Sequence, residues 1–175
     1  MEYRPVIYYV IGGIAACLQT AALYALYHIS RAVLRTMEPR SLSHGLYGFF
    51  ITAYVIKTIA QLLSAFPDVA KQTTALKPFL IIGYLHLFTL AFMTVCLLFL
   101  LYRTALIRLS MLGKSGLLLL LIGILVTEFT LFDRGLLAVL KVPVFDNHPV
   151  VLVQFSLLML IGIALIFLDQ FRNRF

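Results

Sequence analysis

The chain has 175 residues, of which 62% are hydrophobic and only 12% charged. A water-soluble domain of this size cannot bury so much apolar surface, so the composition excludes ordinary soluble enzymes and binding modules and calls for several membrane spans. The net charge is +7, but the basic residues sit in short stretches between apolar runs, where they fit membrane topology and anionic headgroups rather than a nucleic-acid partner.

In chain order, the first predicted span covers about 6–29. Met1–Pro5 carries one acidic and one basic residue and the apolar run after it is too long for a cleavable signal, so the run reads as a retained span. Gly12, Ala16 and Thr20 recur every four residues and predict a close helix contact there, with Gln19 beside them. Tyr8, Tyr9, Tyr24 and Tyr27 mark its two interfaces. The second span, about 44–66, ends before Pro67 and holds Lys57 well inside the apolar run, with Tyr54, Gln61 and Ser64 on the same face.

The third span, about 79–102, carries no formal charge and one histidine, His86. At helical spacing Gly83, His86, Thr89, Met93 and Cys96 form one small and polar stripe, which a membrane helix turns toward protein. Arg103 to Ser115 is basic, with Arg103, Arg108 and Lys114 among Leu, Ile and Met residues, which predicts a short helix lying along the membrane surface. The fourth span, about 116–140, contains Glu128 and reads as one long helix running through Asp133 and Arg134, an interfacial pair. The fifth, about 149–168, opens on Pro149 and carries Gln154 and Ser156. Cys17 and Cys96 both lie in apolar runs, so buried free thiols are expected, with neither a disulfide nor a metal spacing. Residues 1–175 therefore read as a single all-α domain, a polytopic bundle of five transmembrane helices, without repeats.

Orientation follows from the loop lysines and arginines. Arg31, Arg35, Arg40, Arg103, Arg108, Lys114, Arg172 and Arg174 share one side, against Arg4, Lys71, Lys77, Arg134 and Lys141 on the other. The richer side is expected to be cytoplasmic, with the N-terminus outside and the C-terminus inside a bacterial inner membrane.

That orientation brings Lys57, His86 and Glu128 to overlapping depth, roughly 8–18 Å below the outer surface at ~1.5 Å per residue. An ionisable group at mid-span costs about 2.5–3.5 kcal/mol even on a lenient scale, so the three are expected to face protein. The expectation is one shared polar pocket of Lys57, Gln61, His86, Thr89, Glu128 and Gln154, with Lys57 and Glu128 as an ion pair and Thr127 or Thr130 completing the hydrogen bonds. Such a pocket is a structural network, a ligand site or a proton relay. His86 is also a candidate axial ligand to heme, although no second histidine lies at its depth. There is no glycine-rich phosphate loop, no nucleophile beside a histidine and no carboxylate pair, so catalytic residues and a metal site are not expected.

QLLSAFP at 61–67 and KPFLIIGYLHL at 77–87 resemble a group of uncharacterised bacterial multi-pass membrane proteins distantly like the catalytic subunit of heme-copper oxidases. The resemblance covers spans two to four and implies a heme or redox setting for His86. The paired histidines of the oxidase copper site are missing, and the spans are too few for that subunit. The expected function is a membrane protein, not an enzyme, whose buried polar pocket binds a small ligand or supports a partner subunit or a second copy. A heme-binding redox module and a proton or ion pathway are the alternatives.

Overall fold

The computed structural model describes residues 7–35, 41–66, 77–139 and 147–172, and among these there are helices and turns but no strand. The helices are α1 (Ile7–Arg35), α2 (Leu42–Ser64), α3 (Lys77–His86), a π-helical segment (Leu87–Thr94), α4 (Val95–Arg103), α5 (Met111–Val139) and α6 (His148–Arg172). Five stretches are long and apolar enough to cross a bilayer: Val10–Arg35, Leu42–Ser64, Ile81–Arg103, Met111–Gly135 and Pro149–Arg172. The chain is thus an all-α, multi-pass membrane protein, and α3, the π-helical segment and α4 together make its third span. Large apolar side chains such as Leu18, Ile29, Phe129 and Phe132 stand exposed along the spans, the surface that acyl chains cover. Arg4, Arg40, Lys71, Lys141 and Arg174 of the charge count lie outside the described residues, as do Asp146 and the side chains of Tyr8, Tyr9, Lys77 and His148.

The core gathers Leu46, Tyr47, Phe50 and Ala53 of α2, Val95 and Phe99 of α4, and Leu117, Leu120 and Ile124 of α5. Phe50 sits at its centre, with ring centroids 5.2 Å from Tyr47 and 5.4 Å from Phe99. Ser41 caps α2, its hydroxyl accepting from the His44 N–H at 3.3 Å.

Spans four and five are held by backbone proximity. A Cβ placed on Gly116 would stand 2.7 Å from the Gly162 carbonyl oxygen, and one on Gly162 would stand 2.6 Å from the Gly116 carbonyl oxygen. Only glycine at both positions lets the two backbones meet, which in lipid is the main source of helix affinity. The close contact expected in span one is weaker. Ala16 is buried, but Thr20 is exposed with its hydroxyl on the Ala16 carbonyl, and a Cβ on Gly12 would meet nothing within 4 Å. Cys17, expected to be buried, is exposed on the same span, and Cys96 is half-buried.

The surface helix expected between Arg103 and Ser115 is not formed. Span three ends in a Schellman turn: Leu106 N–H donates to the Leu101 carbonyl at 3.0 Å, and Ala105 N–H to that of Tyr102 at 3.2 Å. This turn places Ala105 in the left-handed region, at φ 55°. The chain that follows is captured by span five. Gln170 grips both polar groups of the Arg108 peptide, its Oε1 accepting from the N–H at 3.2 Å and its Nε2 donating to the carbonyl at 2.8 Å. Asp169, fully buried, accepts from the Ser110 N–H at 2.8 Å, from the Ser110 hydroxyl and from the Gly113 N–H. Ser110 in turn caps α5, its hydroxyl oxygen accepting from the Leu112 N–H at 3.3 Å. An anionic carboxylate beside the first-turn amides of α5 also suits the helix dipole. Helix formation between Arg103 and Ser110 would take the Arg108 and Ser110 amides away from both acceptors, so the segment stays as turns and α5 begins at Met111.

Two stability outcomes follow. Asp169→Ala leaves the Ser110 N–H and hydroxyl and the Gly113 N–H without their acceptor and is expected to destabilise the bundle by about 3 kcal/mol, read as loss of resistance to SDS unfolding in mixed micelles. Ala105→Gly removes the cost of a Cβ in the left-handed region and is expected to stabilise by about 1 kcal/mol in the same assay.

Candidate functional site

The π-helical segment decides which side chains of span three meet the bundle. Its turns hold more residues than α-turns, so the phase of every side chain after His86 is offset from the α-helical stripe. The Thr94 hydroxyl donates to the carbonyl of Thr89, five residues back, at 2.8 Å. Thr89 itself is exposed, with its hydroxyl on the Leu85 carbonyl at 2.7 Å, and Met93 is 51% exposed. Thr89 therefore leaves the expected pocket, while Gly83 stays against the bundle, 3.8 Å from the Leu131 Cβ as its own Cβ would stand.

On one side of span three lies Lys57. It is only 8% exposed, and its Nζ donates to Gln61 Oε1 at 3.3 Å. Tyr84 Oη donates to the same oxygen at 3.0 Å. Three rings surround the amino group, with centroids at 5.0 Å for Phe88, 5.3 Å for Tyr84 and 6.0 Å for Tyr54. Tyr54 and Phe92 stack at 4.6 Å and stiffen the cage. Lys57 is thus compensated by one amide oxygen and by ring quadrupoles, each worth about 0.5–2 kcal/mol where water is excluded. Among the described residues no ion pair joins it to Glu128, contrary to expectation.

On the other side lies a cleft of about 270 Å³. Its floor is Thr127, Leu131 and Arg134 of α5; its walls are Ile82, His86 and Leu90 of span three, and Leu152, Ser156 and Met159 of α6. His86 stands two residues from both Tyr84 and Phe88, so it points away from the lysine cage. Its Nδ1 is buried and has no hydrogen-bond partner, and the same holds for Glu128 Oε1. Glu128 follows Thr127 and lies one turn from the fully buried Ile124. The threonines do not complete a network: Thr127 donates to carbonyls of its own helix at 2.9 Å, and Thr130 to Val126 at 2.7 Å. Gln154 is exposed on α6 and joins neither group.

The structure therefore divides the expected pocket in two. Lys57 and Gln61 come together in the cage, His86 lines the cleft, Glu128 is half-buried with an unpartnered oxygen, and Thr89 and Gln154 belong to neither. Tyr84, Phe88 and Arg134 are site residues that pattern reading passed over. The spacing of Tyr84 and Phe88, one turn apart and level with Lys57, is a signal that was present in the sequence. Among the described residues no three His, Cys, Asp or Glu side chains gather as a metal site requires. Comparison with protein families, with curated proteins and with solved structures gives no match.

The cage makes a prediction of opposite signs. Lys57→Met removes the charge together with its need for compensation and is expected to change stability by less than about 1 kcal/mol, or to raise it. Gln61→Leu strips the lysine of its acceptor and is expected to cost about 2 kcal/mol or more. Thermal unfolding of the two variants in one detergent reads the difference.

Proposed function

We propose that this chain is a non-enzymatic membrane protein whose cleft between spans three, four and five binds a small ligand within the bilayer. The observation that carries the reading is His86, whose side chain lines an otherwise mostly apolar cleft together with Arg134 and Ser156. At about 270 Å³ the cleft sits at the small end of ligand pockets, roughly 300–1,000 Å³, so it suits a compact molecule or the head of an amphiphile. Apolar walls with a few polar points, His86, Arg134 and Ser156, fit the usual make-up of such sites.

In the same reading the protein lies in a bacterial inner membrane with its N-terminus outside and its C-terminus inside, as the loop charges favour. The first span supports a further partner subunit or a second copy, since only 6% of its most apolar window is buried. The resemblance to heme-copper oxidase relatives supports heme as an alternative occupant at His86, and Glu128 supports a proton pathway.

Native mass spectrometry of protein taken from its host membrane in nanodiscs tests the ligand reading. A bound small mass is expected in the wild type and is expected to be absent from Ser156→Phe, which fills the cleft mouth. A Soret band in the purified protein replaces the small ligand with heme, and proton flux abolished by Glu128→Gln in a folded variant replaces it with a pathway. Reporter fusions at the two termini are expected to place them on opposite sides of the membrane, as five spans require.

A further inference from the structure

We infer that the groove between spans one and two is a binding site for one anionic phospholipid in the leaflet that faces the basic loops. The groove, about 360 Å³, is walled by Tyr24 and Tyr27 of α1 and by Ile51 and Val55 of α2, with Tyr47 at its base. A polar contact joins the two helices beside it. The Tyr47 hydroxyl donates to the Ser30 hydroxyl, and both residues are buried. This bond ties α1 to α2 at one level and leaves the trough above it open to the bilayer.

The basic residue at the end of the trough, Arg31, points to the occupant. On α1, Thr20, Tyr24, Tyr27 and Arg31 follow one another at spacings of four, three and four, so the apolar wall runs directly into Arg31. On α2 the opposite wall begins one turn after His44, in the first turn of the helix, where the amide dipole is positive. Arg31 and His44 are both exposed. A trough with apolar aromatic walls and a cationic end is complementary to an acyl chain joined to a negative headgroup. Thr20 to Tyr27 spans roughly 10 Å along the helix, enough for the upper part of one acyl chain.

Titration of the purified full chain with dioleoyl phosphatidylglycerol and dioleoyl phosphatidylcholine, read by native mass spectrometry, tests the site. Phosphatidylglycerol is expected to bind first and more tightly. Arg31→Gln is expected to weaken it about fivefold, the effect of one basic residue near an anionic surface, while phosphatidylcholine binding stays the same. Lys114→Gln, at the same end of the bundle but away from the groove, is expected to leave both unchanged. Val55→Phe fills the trough and is expected to remove the first binding event for both lipids. Equal affinity for the two lipids, no change in Arg31→Gln, or an equal loss in Lys114→Gln would each overturn the site, the last by reducing it to a general basic surface.

Discussion

The bundle depends on one carboxylate. Asp169 of span five accepts the Ser110 N–H and hydroxyl and the Gly113 N–H, and so closes the open end of span four. In water a helix N-terminus can be left to solvent, but at a membrane interface next to a packed neighbour its orphan amides need a protein acceptor. Gln170 extends the grip to Arg108, so the whole link between spans three and four is fastened to the last span. Gly113 permits it, since any side chain there would collide with the carboxylate. The Gly116–Gly162 contact continues the same interface one turn deeper.

With spans four and five locked, span three has to pack against span four and against span two at once, and the π-helical segment serves both demands. A regular α-helix keeps one face; a widened turn changes the face midway. Ala91, Val95 and Phe99 thereby enter the core below, while above them Tyr84 and Phe88 close on Lys57 and His86 lines the cleft. Spans two and four reach the third from different sides, which explains why Lys57 and His86 are separated although their depths overlap.

The two polar sites differ in how completely they are satisfied. The lysine cage is closed, with an acceptor and three aromatic faces for a single amino group. It behaves as a fastening between spans two and three. The cleft is open, and His86, Arg134 and Ser156 stand along it among apolar side chains.

The sequence by itself determined the membrane architecture and the presence of buried polar groups, because apolar run length and the cost of charge in lipid are local properties. Lys57 and Gln61, a turn apart on one helix, were legible as a pair for the same reason. The tertiary structure alone decided which groups meet. The Ser110–Asp169 contact joins residues 59 apart and depends on how closely two helices cross; in the sequence Asp169 is one more charge after an apolar run. Thr89 and Gln154 fell away from the pocket because a helical stripe presumes constant pitch and because facing directions depend on how neighbouring helices rotate. Neither the change of turn at Leu87 nor the rotation of span five is written in the composition of its own segment; each is the outcome of packing against the others.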